Sequence, residues 1–309
     1  MHDPVQIEPI PVAPGHAPDP AARWSGFPPR VAQWPGTWSG TRNWALPGQR
    51  SSSSAGQNGF LMELQGLKVL LTGGGSGVGL ELARQLVAAG SDVLITGRDE
   101  GRLDAAATQI PGLRTLAADL ARAEDLPRMV DAALSQLGGL SLLVNNAGIQ
   151  LNYHLATRPV AQVLADVDLE LRTDLIAPIQ LTALSLPHLM REPHAAVVNI
   201  GSGLAVSPKR SAAVYGAAKA GLRTFTKALR YQLAVDAPGI SAVDVVLPLV
   251  DTPMTAGRGA GKISVEQAAH EILAGLRADR SEIHVGKARA FLLLHRLAPR
   301  RADALLADG

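Results

Sequence analysis

The chain has 309 residues, 47% hydrophobic and 18% charged, with a formal net charge of +2, the profile of a globular protein with room for one large core or two small ones. Its lysines and arginines do not cluster, and its few aromatics do not interleave with them, which speaks against nucleic acid as a partner. The lack of cysteine excludes disulfides, thiolate nucleophiles and cysteine-bound zinc or iron–sulfur centres, and no apolar run approaches the length of a membrane span.

Residues 1–61 stand apart in composition. They hold ten of the 21 prolines and all four tryptophans (Trp24, Trp34, Trp38, Trp44), have a net charge of +1, and show neither helical nor strand periodicity. A disordered tail is the expectation, with a tryptophan-bearing docking peptide as the alternative. "MHDPVQIEPIPVAPG" lacks the basic start and apolar core of a secretory signal, and "MELQGLKVLLTGG" from Met62 already reads as the start of a domain, so translation beginning at Met62 is a further alternative.

From Met62 to Gly309 short apolar runs alternate with longer amphipathic segments. The runs predict strands over 67–73, 92–97, 113–119, 140–148, 195–202, 241–248 and 282–286. The segments between them predict helices over 77–89, 101–109, 124–137, 160–191 with Pro178 inside, 211–236 and 264–277. Near-continuous Val/Ile/Leu runs indicate strands buried on both faces. Strict alternation with helices then implies an α/β fold, a doubly wound parallel sheet of seven strands in one domain, 62–309.

"TGGGSGVG" (72–79) lies between the first strand and the first helix. Glycines there let the backbone turn tightly and approach a pyrophosphate, and the helix N-terminus offers free N–H groups and a positive dipole end. Gly73, Gly77 and Gly79, with Ser76 and Val78 between them, are therefore candidate dinucleotide-binding residues. At the end of the second strand, where an NAD enzyme places an acid for the ribose hydroxyls, the sequence has Gly97 and Arg98. A guanidinium suits the 2′-phosphate of NADP, which makes NADP(H) the preferred cofactor and NAD(H) the alternative. Asp99 and Glu100 could instead pair with Arg98 and leave it a solvated loop residue.

Tyr215 and Lys219 in "YGAAK" are one helical turn apart and share a face. Taken singly, they read as a packed tyrosine and a snorkelling lysine. With "TGGGSGVG", "NNAG" (145–148) and Ser202, thirteen residues before Tyr215, they form an ordered set that resembles the short-chain dehydrogenase/reductase family over essentially all of 62–309. "ITGR", "NNAGIQ" and "LIAPIQLTALSLPHLM" look most like its subgroup named after the DltE oxidoreductase.

The resemblance implies a Rossmann-type fold, a homodimer or homotetramer, a cytoplasmic location, and an enzyme that interconverts a carbonyl and an alcohol on an apolar small molecule. Tyr215 would be the general acid/base, its phenol lowered toward neutrality by the Lys219 cation. Lys219 would also grip the nicotinamide ribose, and Ser202 would hydrogen-bond the substrate oxygen. Asp119 and Leu120 would meet the adenine, and Asn146, Ala147 and Gly148 would line the cofactor while Asn145 steadies the sheet. Pro248, Val250 and Thr252 would reach the nicotinamide, although Leu249 stands where the family usually has glycine. Segments 203–214 and 249–262 would enclose the substrate, the second as a mobile lid.

Asp174 replaces an asparagine whose main-chain carbonyl, in the resembled family, holds a proton-relay water. Pro178 removes the N–H that would bond that carbonyl, so the relay survives in principle, but a carboxylate adds negative charge beside Tyr215 and Lys219. Asp174 joins the candidate catalytic residues on this ground, with a solvated or capping carboxylate as the plainer reading. A non-catalytic NADP-binding sensor or scaffold is the alternative function.

Overall fold

The computed structural model describes residues 62–307, and the expected tail, 1–61, lies outside the described residues. Seven parallel strands form one sheet: β1 (Lys68–Thr72), β2 (Asp92–Gly97), β3 (Arg114–Ala117), β4 (Leu142–Asn145), β5 (Ala195–Ser202), β6 (Ile240–Leu247) and β7 (Glu282–His284). Their order is β3-β2-β1-β4-β5-β6-β7. The order reverses between β1 and β4, and the crevice at the carboxyl ends of these strands is where doubly wound sheets bind ligands.

The helices are α1 (Gly77–Ala88), α2 (Glu100–Gln109), α3 (Asp125–Leu137), α4 (Val160–Leu171), α5 (Ala177–Leu189), α6 (Ala213–Asp236), α7 (Val265–Arg277), α8 (Ala288–Leu297) and α9 (Pro299–Leu306). Successive strand residues point to opposite faces, so each apolar strand feeds two cores. Val69 and Leu71 of β1 pack with Leu82 and Leu86 of α1 and Ile272 of α7. Leu70 between them packs with Met129 of α3, Leu181 of α5 and Leu229 of α6. This two-sided burial is why the strands read as unbroken hydrophobic runs.

Three expectations change. The helix expected over 160–191 is interrupted by a π-helical turn, Arg172–Ile176, where the N–H of Ala177 donates to the carbonyl of Arg172. Pro178 has no N–H to offer the carbonyl of Asp174, so an ordinary α-helical ladder cannot run through this point. The strand expected over 140–148 ends at Asn145, because Asn146 turns away to bond the first strand's exit. Beyond β7 two further helices, α8 and α9, follow where none was expected, their short amphipathic pattern falling outside the strand–helix alternation.

Candidate active site

The exit of β1 and the exit of β4 are sewn together. Asn146 Nδ2 donates to the carbonyls of Thr72 (2.9 Å) and Gly73 (3.1 Å), while Thr72 Oγ1 accepts from the amides of Asn146 and Ala147, both at 3.1 Å. This closeness demands glycine. Gly73 has φ +68°, and a Cβ there would stand 2.8 Å from Ala147 Cα. A Cβ on Gly79 would stand 2.3 Å from the Gly73 oxygen and 2.4 Å from Asn146 Nδ2. The Leu80 amide donates to the Ser76 carbonyl (3.3 Å) and Ser76 gives no side-chain cap, so the amides of Gly77, Val78 and Gly79 have no partner in the helix.

A cleft of about 1170 Å³ runs from this turn along the carboxyl edge of the sheet. Every candidate cofactor residue lines it: Gly73, Ser76, Gly77, Val78, Gly79, Arg98, Asp119, Leu120, Asn146, Ala147, Gly148, Tyr215, Lys219, Pro248, Val250 and Thr252, as does Ser202. Asn145 does not. It is buried behind the wall, donating to Asn199 Oδ1 (2.8 Å) across β4 and β5, a structural role.

At the β2 end Arg98 is exposed and pairs with neither Asp99 nor Glu100. Asp99 caps α2, accepting from the Arg102 amide (3.0 Å), and pairs with Arg102 Nε (3.1 Å), so Arg98 stays available and Arg102 is a second, unforeseen cation on this wall. Asp119 donates its N–H to Asp125 Oδ2 (2.8 Å), which holds the Asp125 carboxyl below its ordinary range, with help from Arg128. At the β6 end Leu249 replaces the family glycine without strain, since Asp279 is the one described non-glycine residue with positive φ. Thr252 and Thr255 cap the 3-10 turn Pro253–Thr255, the Thr252 amide donating to Thr255 Oγ1 (3.1 Å).

At the centre, Ser202 ends β5, its Oγ accepting from the Leu204 amide (3.1 Å), and Tyr215 lies in the first turn of α6, where the Ser202 hydroxyl favours the phenolate. Lys219, one turn on, is 4% exposed; its Nζ is 3.2 Å from the Ile200 carbonyl, 3.6 Å from Asp174 Oδ1 and 5.7 Å from the centre of the Tyr215 ring. The expectation that Lys219 brings the phenol below its ordinary value is corrected. Burial pushes Tyr215 up; Lys219 opposes this, and Asp174 adds to the rise.

Asp174 is not on the cleft wall. Wholly buried in the π-helical turn, it accepts the Ile149 amide on Oδ1 (3.1 Å), leaves Oδ2 without a partner, and is pushed up to about 6, chiefly by burial against the pull of Lys219. The reading of a solvated carboxylate is thereby excluded. One turn earlier Glu170, which the sequence reading missed, repeats the arrangement. It is wholly buried, accepts the Leu151 amide on Oε1 (2.7 Å), leaves Oε2 without a partner, and is pushed up to about 7 by burial and by the neighbouring Asp174 and Asp166. Asp166, Glu170 and Asp174, acids recurring every fourth residue in "VLADVDLELRTDLIAPI", were the available signal.

The far end of the cleft is closed by the unforeseen helices. Phe291 of α8 and Leu306 of α9 each lie 4.0 Å from where a Cβ on Gly203 would be, next to Ser202. Ser207 Oγ bonds Asp303 (2.6 Å) and the Arg210 amide donates to the Ala307 carbonyl (2.9 Å), pinning α9 to segment 203–214. In segment 249–262, Lys262 holds Asp251 (3.2 Å) and the Thr255 carbonyl (2.7 Å). Among the described residues no helix is long and apolar enough to cross a membrane.

Comparison with known proteins agrees with this geometry. The family model described as short chain dehydrogenase matches residues 67–262. The uncharacterized oxidoreductase DltE of Bacillus subtilis is 36% identical over 228 residues, 72% of this chain and 89% of that protein. A solved short chain dehydrogenase from Burkholderia cenocepacia in complex with NADP is 27% identical, with a TM-score of 0.66, covering 74% of this chain and 100% of that one. A 3-ketoacyl-(acyl-carrier-protein) reductase from Brucella melitensis complexed with NADH is 25% identical, with a TM-score of 0.64, covering 72% of this chain and 97% of that one.

Proposed function

This chain belongs to the short chain dehydrogenase family, whose members of similar structure bind nicotinamide dinucleotides, and from that premise we propose that it interconverts a carbonyl and an alcohol with NADP(H), Tyr215 being the general acid/base. The observation that carries the reading is one cleft with the glycine turn at one end and Ser202, Tyr215 and Lys219 farther along its wall.

The residues fit the cofactor. The close approach at Gly73 and Gly79 leaves backbone without side chains where a pyrophosphate needs access, and the unpaired amides of α1 supply its donors. Arg98, free of carboxylates, favours the 2′-phosphate of NADP over NAD. When bound, the nicotinamide supplies or accepts the hydride. In reduction Tyr215 Oη–H gives its proton to the carbonyl oxygen of the substrate, and Ser202 Oγ–H donates a hydrogen bond to that oxygen as charge develops on it. The Lys219 ammonium stabilises the phenolate left behind. Asp174, beside Lys219, and Glu170, one turn earlier, both disfavour the phenolate of Tyr215. Their amide partners, Ile149 and Leu151, also fix the segment that lines the cleft after β4.

Tyr215→Phe tests the reading, because it keeps the ring and removes only the proton. NADPH affinity should stay within about twofold and turnover of a carbonyl panel should fall by the 10²–10⁴ of a lost general acid. Unchanged turnover would remove Tyr215 from the mechanism. The negative charge of Asp174 beside Lys219 favours one second reading, a cofactor-binding sensor, which predicts NADPH binding without turnover in the natural protein. The cytoplasmic location and the homodimer or homotetramer belong to the same proposal, and fractionation and light scattering test them.

A further inference from the structure

The cleft is charged unevenly. Among the described residues its only carboxylates, Asp99 and Asp119, follow β2 and β3. After β5, β6 and β7 the wall instead carries Lys219, paired with Asp174, and three further cations, Lys209, Arg258 and Lys287, none of which has a carboxylate partner. Arg258 is the telling one. Its Nη1 is buried without any hydrogen-bond partner, while Lys262 four residues on is satisfied by Asp251 and the Thr255 carbonyl. A buried guanidinium N–H left unpaired is costly, and a bound anion would satisfy it with a charge-assisted hydrogen bond.

The three cations sit on elements that meet. Lys209 precedes Arg210, whose amide bonds the end of α9. Lys287 opens α8, one turn before Phe291. Gly286, just before it, lies against Ile263 and Pro248, a Cβ there standing 3.5 Å from each, and these two residues bracket the segment that carries Arg258. The wall between the cations and Ser202 is apolar, with Leu204, Phe291 and Leu306.

From this pattern, and resting on the reading of Tyr215 as the proton donor, we propose that the substrate is an oxo acid: a carbonyl on an apolar chain that ends in a carboxylate held by Arg258, with Lys209 and Lys287 beside it. The chain lies along Leu204, Phe291 and Leu306. The carboxylate is unchanged by turnover, in which the carbonyl carbon gains a hydride, the oxygen gains the Tyr215 proton, and the dinucleotide is oxidised in equal amount. The cofactor's own phosphates have the glycine turn and Arg98; because Thr252, in the segment that carries Arg258, lies against Gly77 of that turn, a Cβ there standing 3.1 Å from Thr252 Cγ2, the test also reads NADP⁺ affinity.

The test is calorimetric binding to the full chain saturated with NADP⁺, using 5-oxodecanoate, its methyl ester, and the matching acyl thioester of phosphopantetheine. The acid should bind about tenfold or more tightly than the ester, the effect of one charge-assisted hydrogen bond. Arg258→Ala should bring the acid to the level of the ester without changing NADP⁺ affinity, and Arg258→Lys should restore most of the difference. Equal binding of acid and ester overturns the proposal, as does failure of all three ligands to bind. So does an Arg258→Ala loss that falls equally on NADP⁺, which would assign the cation to the cofactor. Tighter binding of the thioester than of the acid overturns the carboxylate in favour of a phosphate. Because nothing is turned over, the acid–ester contrast persists in Tyr215→Phe, so failure here and failure of the catalytic reading are told apart.

Discussion

Asp174→Asn should make Tyr215 easier to ionise. Asp174 Oδ1 is 3.6 Å from Lys219 Nζ, and Nζ is 5.7 Å from the Tyr215 ring centre; end to end, 3.6 plus 5.7, the carboxylate is at most about 9.3 Å from the ring. At an effective dielectric of about 20, a unit charge at that distance contributes about 1.8 kcal/mol, a little over one pH unit. Asp174 is pushed up only to about 6, so it is ionised wherever a tyrosine titrates and its full charge opposes the phenolate. Asparagine removes that charge but keeps an oxygen for the Ile149 amide, so the local fold has the same partner. Tyrosinate absorbance of the cofactor-free protein, taken as the difference from Tyr215→Phe in each background, should show the Tyr215 midpoint about one unit lower in Asp174→Asn. The pH profile of alcohol oxidation, which needs the basic form, should move the same way. A midpoint that stays within about 0.3 unit, or rises, would refute the electrostatic role given to Asp174.

Gly79→Ala would put a Cβ 2.3 Å from the Gly73 oxygen, so the sewn turn must open; a loss of about 1–3 kcal/mol in stability by denaturant melting and at least tenfold weaker NADPH binding are expected. Arg98→Ala should weaken NADPH about 10- to 100-fold and leave NADH nearly unchanged, since only the first carries the 2′-phosphate; equal loss for both would make the arginine structural. Glu170 is raised to about 7 when folded, above its unfolded value, so the stability linked to it is fully present below about pH 4 and is lost as pH rises through about 7. Glu170→Gln should therefore flatten the decline in melting temperature between those limits, and an unchanged slope would show that the carboxyl stays charged throughout.

Much of this was legible because parallel strands buried on both faces have few composition choices, so β1 and β5 announce themselves as "KVLL" and "AAVVNI". The cofactor turn was legible for a similar reason: only glycine fits at 73 and 79, and the sequence had to say so. The break near Pro178 could be read from a missing N–H. What escaped depends on partners distant in sequence. Glu170 looks like any helical acid until the Leu151 amide and the packing that buries it are in place, and the net rise of the Tyr215 phenol depends on burial that no local spacing reveals. Helices α8 and α9 lie after the regular alternation ends, where nothing in the pattern says which face they cover.

Those two helices divide the molecule's labour along the chain. The stretch that matches the family model stops at residue 262, whereas Phe291, Leu305 and Leu306, which shape the far end of the cleft, come from beyond it. Part of the cleft wall is thus written in a later passage of the polypeptide than the glycine turn, Ser202, Tyr215 and Lys219, and Ser207 with Asp303 and a main-chain bond from Arg210 help tie it back. Exchanging residues 288–306 for the corresponding segment of a relative would therefore have to carry over the packing of Ala288 and Ala302, 4% and 0% exposed, together with the new stretch of wall.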